Sequence, residues 1–203
     1  GRFLTPKGER LYTGDDLWNV VPSPDGKWIV GLCDPGIVVY PSRATVASNQ
    51  SIRIPWSRAS FCAVFSKDSS KLITSSGDQG HGIQVFSTSE WEKLPTRRLE
   101  ERKQVPIQSI TAHEEAHIVD IVVSSDERYV FGADVARQRI VVFDLLTGNV
   151  VSDVPAGREP FSLALSSDGS QLFVANIGVR LFDRAARHRQ PARSCGSRLW
   201  FPV

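Results

Sequence analysis

One short pattern recurs four times along this 203-residue chain and constrains it more than any other feature: an apolar run closed by Ser-x-Asp, then a second apolar run, then a third ending in an aromatic. The first copy runs Trp18-Asn19-Val20-Val21-Pro22-Ser23-Pro24-Asp25-Gly26, then Trp28-Ile29-Val30, then Ile37-Val38-Val39-Tyr40. The second opens at Cys62-Ala63-Val64-Phe65-Ser66-Lys67-Asp68 and continues with Lys71-Leu72-Ile73 and Ile83-Gln84-Val85-Phe86. Ile121-Val122-Val123-Ser124-Ser125-Asp126 opens the third, which continues through Tyr129-Val130-Phe131 to Ile140-Val141-Val142-Phe143. The fourth is Leu163-Ala164-Leu165-Ser166-Ser167-Asp168-Gly169, then Leu172-Phe173-Val174, then Leu181-Phe182.

Asp25, Asp68, Asp126 and Asp168 stand 43, 58 and 42 residues apart. A period of ~40–45 residues holding several short strands is that of a propeller blade. In each turn the Ser and Asp side chains can bond backbone N–H groups, and Gly26 and Gly169 can take positive φ without a Cβ clash, so the chain reverses into a hairpin. Continuous apolar runs, rather than strict alternation, indicate sheets covered on both faces.

The predicted fold is therefore all-β: a β-propeller of four-stranded antiparallel blades, with outer strands at 51–54, 107–110 and 149–154. The blades divide as 17–57, 58–115, 116–157 and a partial 158–183. Gly14 and Gly157 both lie 11 residues before a turn aspartate, so residues 1–16 read as an outer strand that closes a ring. Residues 184–203 are Arg-rich and read as a basic irregular tail. That departure points to a truncated, frame-shifted or partial chain; the alternative is a closed four-bladed ring with residues 9–13 as its last outer strand.

The segments Pro160–Asn176 and Arg139–Gly148 resemble the repeats of the YVTN-repeat β-propeller family. The opening Gly1-Arg2-Phe3-Leu4-Thr5-Pro6-Lys7-Gly8 is similar to the start of bacterial members whose propeller precedes an alkaline-phosphatase-like domain. The resemblance covers residues 1–183, more loosely in the first two blades. It implies a fragment of a seven-bladed ring and a bacterial, periplasmic or secreted protein. The phosphatase-like domain itself does not occur in this chain, so no metallophosphatase site carries over.

A hydrophobic content of 41% with 23% charged residues places the chain in the globular range. Apolar runs such as Ile118–Val123 fall far short of the ~20 residues a membrane helix requires, so no membrane span is expected. Gly1 opens the chain without a basic-then-apolar leader, which reads as a signal peptide absent or already removed. Five of the 24 basic residues sit in the tail, leaving 19 against 22 acidic ones in the body, a net −3. A mildly acidic body argues against a phosphate-binding surface, and nucleic-acid binding would rest on the tail arginines with Trp200 and Phe201 alone. Cys33, Cys62 and Cys195 lack metal or redox spacing, and the first two read as small core residues.

His113-Glu114-Glu115-Ala116-His117 matches the H-E-x-x-H of zinc proteases, whose two histidines reach one metal only from a helix. Here the motif runs into a strand, where the imidazoles would stand about 13 Å apart, so a connector is expected. Ser87–Pro106, which lengthens the second repeat, reads as a solvated charged loop or short surface helix, with partner docking as the alternative. Propellers bind at the channel mouth, where the loops entering each inner strand meet those joining second and third strands. That register selects Asp16, Arg58, His117, Arg158 and Glu159 from the entering segments, and Asp34, Asp78, His81, Asp134, Arg137 and Asn176 from the joining loops. Asp16, Arg58, His81, His117, Asp134, Arg158, Glu159 and Asn176 form the candidate ligand-binding set.

No catalytic or metal site is assigned, and no cofactor is expected beyond the alternative of a divalent cation. The leading function is a non-catalytic scaffold that presents its mouth to a protein partner or a small polar ligand. The alternative is a lactonase-like or phosphoesterase-associated hydrolase that gathers Asp134, His117, Glu159 and Asn176 around a metal.

Overall fold

A computed structural model describes residues 17–33, 36–43, 51–55, 61–76, 81–93, 100–101, 106–178 and 197–200. Among them the regular elements are sixteen β-strands and one 3-10 turn, Trp91–Lys93. Blade 1 comprises β1 (Leu17–Pro22), β2 (Trp28–Cys33), β3 (Gly36–Pro41) and β4 (Ile52–Pro55). Blade 2 is β5 (Ala63–Phe65), β6 (Lys71–Ser76) and β7 (Gly82–Ser87), after which β8 (Glu100–Glu101) leaves to pair in parallel with β4 and β9 (Gln108–Thr111) returns to β7. Blade 3 is β10 (Ile118–Val123), β11 (Tyr129–Asp134), β12 (Arg139–Asp144) and β13 (Asn149–Pro155), followed by β14 (Pro160–Leu165), β15 (Gln171–Asn176) and β16 (Ser197–Trp200) in blade 4. Every pair inside a blade is antiparallel except β4 with β8.

The four Ser-x-Asp turns share one geometry. Ser23, Ser66, Ser124 and Ser166 each donate the hydroxyl to the aspartate two residues on, at 2.5–2.6 Å. The same hydroxyl oxygens accept the backbone N–H of Trp28, Lys71, Tyr129 and Gln171 at 2.8–2.9 Å, locking the hairpin. The residue after each aspartate has positive φ: Gly26 at 70°, Ser69 at 61°, Glu127 at 59° and Gly169 at 72°. Only two of these are glycine, so Ser69 and Glu127 accept left-handed strain, which L-residues take at a cost of about 1–2 kcal/mol.

Three apolar layers fill the gaps between blades. Trp28, Val30, Leu32 and Val39 of blade 1 meet Ala63, Phe65 and Leu72 of blade 2. Ile73, Ile83 and Val85 meet Ile121 and Val130, and Phe131, Ile140 and Val142 meet Leu163, Leu172 and Val174. Fully burying such a side chain contributes about 1.5–3 kcal/mol, so packing between neighbours stabilises each blade.

Two readings need correction. The insertion after β7 is more than a solvated loop or short surface helix: its one 3-10 turn carries Trp91, which is 1% exposed and inserts edge-on against Trp28 and Phe65, with ring centroids 5.7 and 6.1 Å apart. The charges around it masked a single aromatic whose burial outweighs the solvation of its neighbours. Nor is residues 184–203 wholly irregular, since Ser197–Trp200 pairs antiparallel with β15. It fills the edge of β15, whose N–H and C=O groups need partners. The closing strand at 1–16 and the third strand at Leu181–Phe182 lie outside the described residues.

Candidate functional site

At the end of the blades opposite the Ser-x-Asp turns, each inner strand begins beside the point where the second strand stops. Ile118 pairs with Asp134, and Pro160 pairs with Asn176. Asp134 ends β11 and is 0% exposed. Its Oδ1 accepts the backbone N–H of His117 at 3.0 Å and that of Arg137 at 3.2 Å, while Oδ2 is buried without a partner. Asn176 holds the same repeat position in blade 4, and its Oδ1 is likewise buried and unpaired. Its side chain lies so close over Gly157 that a Cβ there would stand 2.6 Å from it, and a larger residue in the connector would push the Asn176 amide aside.

His117 leads into β10, and its Nε2 is buried with no hydrogen bond. Its ring lies tilted against Phe61, centroids 5.4 Å apart. His81, at φ 53°, places Nδ1 3.1 Å from the Ala116 carbonyl and so ties the joining loop of blade 2 to the segment entering blade 3. Arg158 is exposed, and its carbonyl accepts the Gly178 N–H; Glu159, at φ 53°, accepts the Ile177 N–H. The structure therefore puts His81, His117, Asp134, Arg158, Glu159 and Asn176 at one end of successive blades, as the register predicts. Asp16 and Arg58, with Asp34 and Asp78, lie outside the described residues.

The H-E-x-x-H segment is a turn, not a helix, closed by the Ala116 N–H donating to the His113 carbonyl at 3.0 Å. His113 turns instead to Asp153 on β13, Nε2 to Oδ2 3.0 Å, where Arg139 also binds. Burial raises the Asp153 carboxyl pKa, but the bonds from Arg139 and His113 outweigh it and leave the pKa below the ordinary value. Among the described residues no group of three or more His, Cys, Asp and Glu side chains could hold a metal.

A set missed in the sequence lies one step further along each inner strand. Register breaks between Leu17 and Asn19, Ile118 and Asp120, and Pro160 and Ser162 leave one residue out of the ladder in each case. Such β-bulges re-aim a side chain and occur beside functional sites. The residues so released are Trp18, Val119 and Phe161, and Phe61 holds the matching place in blade 2; Trp18, Phe61 and Phe161 are all exposed. Each stands seven residues before a turn aspartate, a spacing legible in the repeat alignment. Trp18 and Phe61 lie 6.5 Å apart, so with His117 they form a row of rings across three blades.

The next position carries Asn19, Cys62, Asp120 and Ser162. Asp120 accepts the Leu163 N–H of blade 4 at 2.7 Å. Burial, and then the Asp120 charge, push the Cys62 thiol up to about 12, so it stays protonated at neutral pH and is no nucleophile.

Together these features define a propeller-like all-β protein whose polar and aromatic residues gather at one end of its blades. No family model and no curated protein matches the sequence. Among solved structures it is similar to hydrazine synthase of Kuenenia stuttgartiensis, with a TM-score of 0.59, 14% identity, and 88% of this chain against 47% of that one. A functionally unknown protein from Desulfotomaculum acetoxidans DSM 771 gives a TM-score of 0.56 and 15% identity over 79% of this chain and 49% of its own. At such identities the likeness is one of fold alone, and the chain spans about half the length of each.

Proposed function

We propose that the chain is an arc of β-propeller blades of the YVTN-repeat kind, acting as a non-catalytic binding module. Its mouth-side loops receive a protein partner or a small polar ligand. The observation that carries this reading is the unpaired set at that end: Asp134 Oδ2, His117 Nε2 and Asn176 Oδ1 are all buried without hydrogen bonds. Buried polar atoms are nearly always satisfied, so each exception calls for an explanation, and a bound partner would supply one here.

The test is an amide-resolved magnetic resonance screen of the chain against small polar compounds and short peptides. Binders are expected to shift His81, His117, Asp134–Arg137, Arg158–Glu159 and Asn176. Shifts confined to the Ser-x-Asp turns, or no binder at millimolar concentration, overturn the reading.

A further inference from the structure

We propose that the mouth recognises the guanidinium of an arginine side chain on a protein partner, stacked on Phe61 between Trp18 and His117 and paired with Asp134. This rests on the binding-module reading above and names the chemistry of its ligand. Blade 3 holds two buried carboxylates with contrasting partners. Asp144, 2% exposed at the end of β12, binds the Arg128 guanidinium through Oδ2 at 3.0 Å and two backbone N–H groups through Oδ1. Asp134, 0% exposed at the end of β11, takes the same two N–H bonds on one oxygen and has nothing on the other. Arg137, which donates its backbone N–H to it, directs its side chain to Asp153 at 4.0 Å. A carboxylate withdrawn from water without a counter-charge is costly, and a cation restores the balance.

The other unpaired atoms narrow the choice. Asn176 Oδ1 accepts only, and His117 Nε2 accepts whenever Nδ1 carries the proton. The partner must therefore donate hydrogen bonds, carry positive charge and present a flat face to exposed rings. A guanidinium does all three, with five N–H donors, no acceptor and a plane that stacks on aromatics, whereas an ammonium is a compact and strongly hydrated point charge. A neutral polyhydroxyl ligand would leave Asp134 uncompensated.

Calorimetric titration of the full chain with acetylated Gly-Arg-Gly, Gly-citrulline-Gly and Gly-Lys-Gly amides tests this on the native protein. Citrulline keeps the shape and loses the charge, so it is expected to bind about tenfold or more weakly than arginine, with lysine in between. Phe61→Ala and Trp18→Ala are each expected to weaken arginine binding severalfold, and Leu146→Ala, in an exposed turn, to leave it unchanged. Equal binding of the arginine and citrulline peptides, or arginine binding indifferent to both ring variants, overturns the inference. If the arginine peptide fails while other compounds still shift the mouth residues, the guanidinium assignment falls and the binding module stands. If nothing shifts them, both fall.

Discussion

The hydroxyl oxygen of Ser69 in blade 2 accepts the backbone N–H of Asp25 in blade 1 at 3.0 Å, from a residue held at φ 61°. Glu127 repeats the arrangement one blade on: at φ 59° it reaches back with Oε1 to the Lys67 N–H. Strain inside a turn is thus exchanged for a bond between turns. Ser69→Ala keeps the strain and loses the bond, and is expected to cost about 1–2 kcal/mol in urea unfolding. Ser69→Gly loses the bond but relieves the strain, and should be within about 0.5 kcal/mol of the native chain because the two effects are of similar size. Equal destabilisation by both variants would contradict the exchange.

The turn aspartates predict an acid transition. The Ser66 hydroxyl, then the Ser70 N–H and hydroxyl, hold Asp68 at about 2, and Ser166 and Ser170 do the same for Asp168 at about 2. Folded values below the ordinary 3.8 mean the folded chain binds these protons less readily than the unfolded one. Their stabilisation is complete above that ordinary value and is lost as the pH falls towards about 2. Chemical denaturation between pH 5 and 2 should show a falling midpoint, and Asp68→Asn with Asp168→Asn should flatten that fall.

Trp91 sits between Trp28 and Phe65 at the junction of blades 1 and 2. Trp91→Ala empties that space and is expected to cost about 3–5 kcal/mol. Denaturant melts of the variant decide the point, since a tryptophan in a solvated loop would change nothing.

Asp120 joins blades 3 and 4 through the Leu163 N–H and sits against the Cys62 thiol. Asp120→Ala strands the N–H and is expected to destabilise by about 1–3 kcal/mol. It also removes a negative charge, so Cys62 should be alkylated faster at pH 8.5, although burial keeps its pKa above the ordinary value. Peptide-resolved mass spectrometry after iodoacetamide treatment measures both the native and the variant rate.

The sequence alone determined what is local. A hairpin turn is written in four neighbouring residues, so Ser66-Lys67-Asp68 and its three counterparts announced both the strands and the blade period, and the register placed His117, Asp134 and Asn176 at one end. Two rings of the row, Trp18 and Phe61, were legible in principle as aromatics seven residues before a turn aspartate, whereas His117 stands nine before Asp126. Tertiary structure decided what depends on distant partners. Ser197–Trp200 is a strand because β15 has an edge to fill, and Trp91 is buried because Trp28 and Phe65 leave it a slot. Asp134 Oδ2 is left unpaired inside the fold, while the Arg137 side chain lies toward Asp153. Such contacts join residues far apart in the chain, and their energies exist only once the blades have packed.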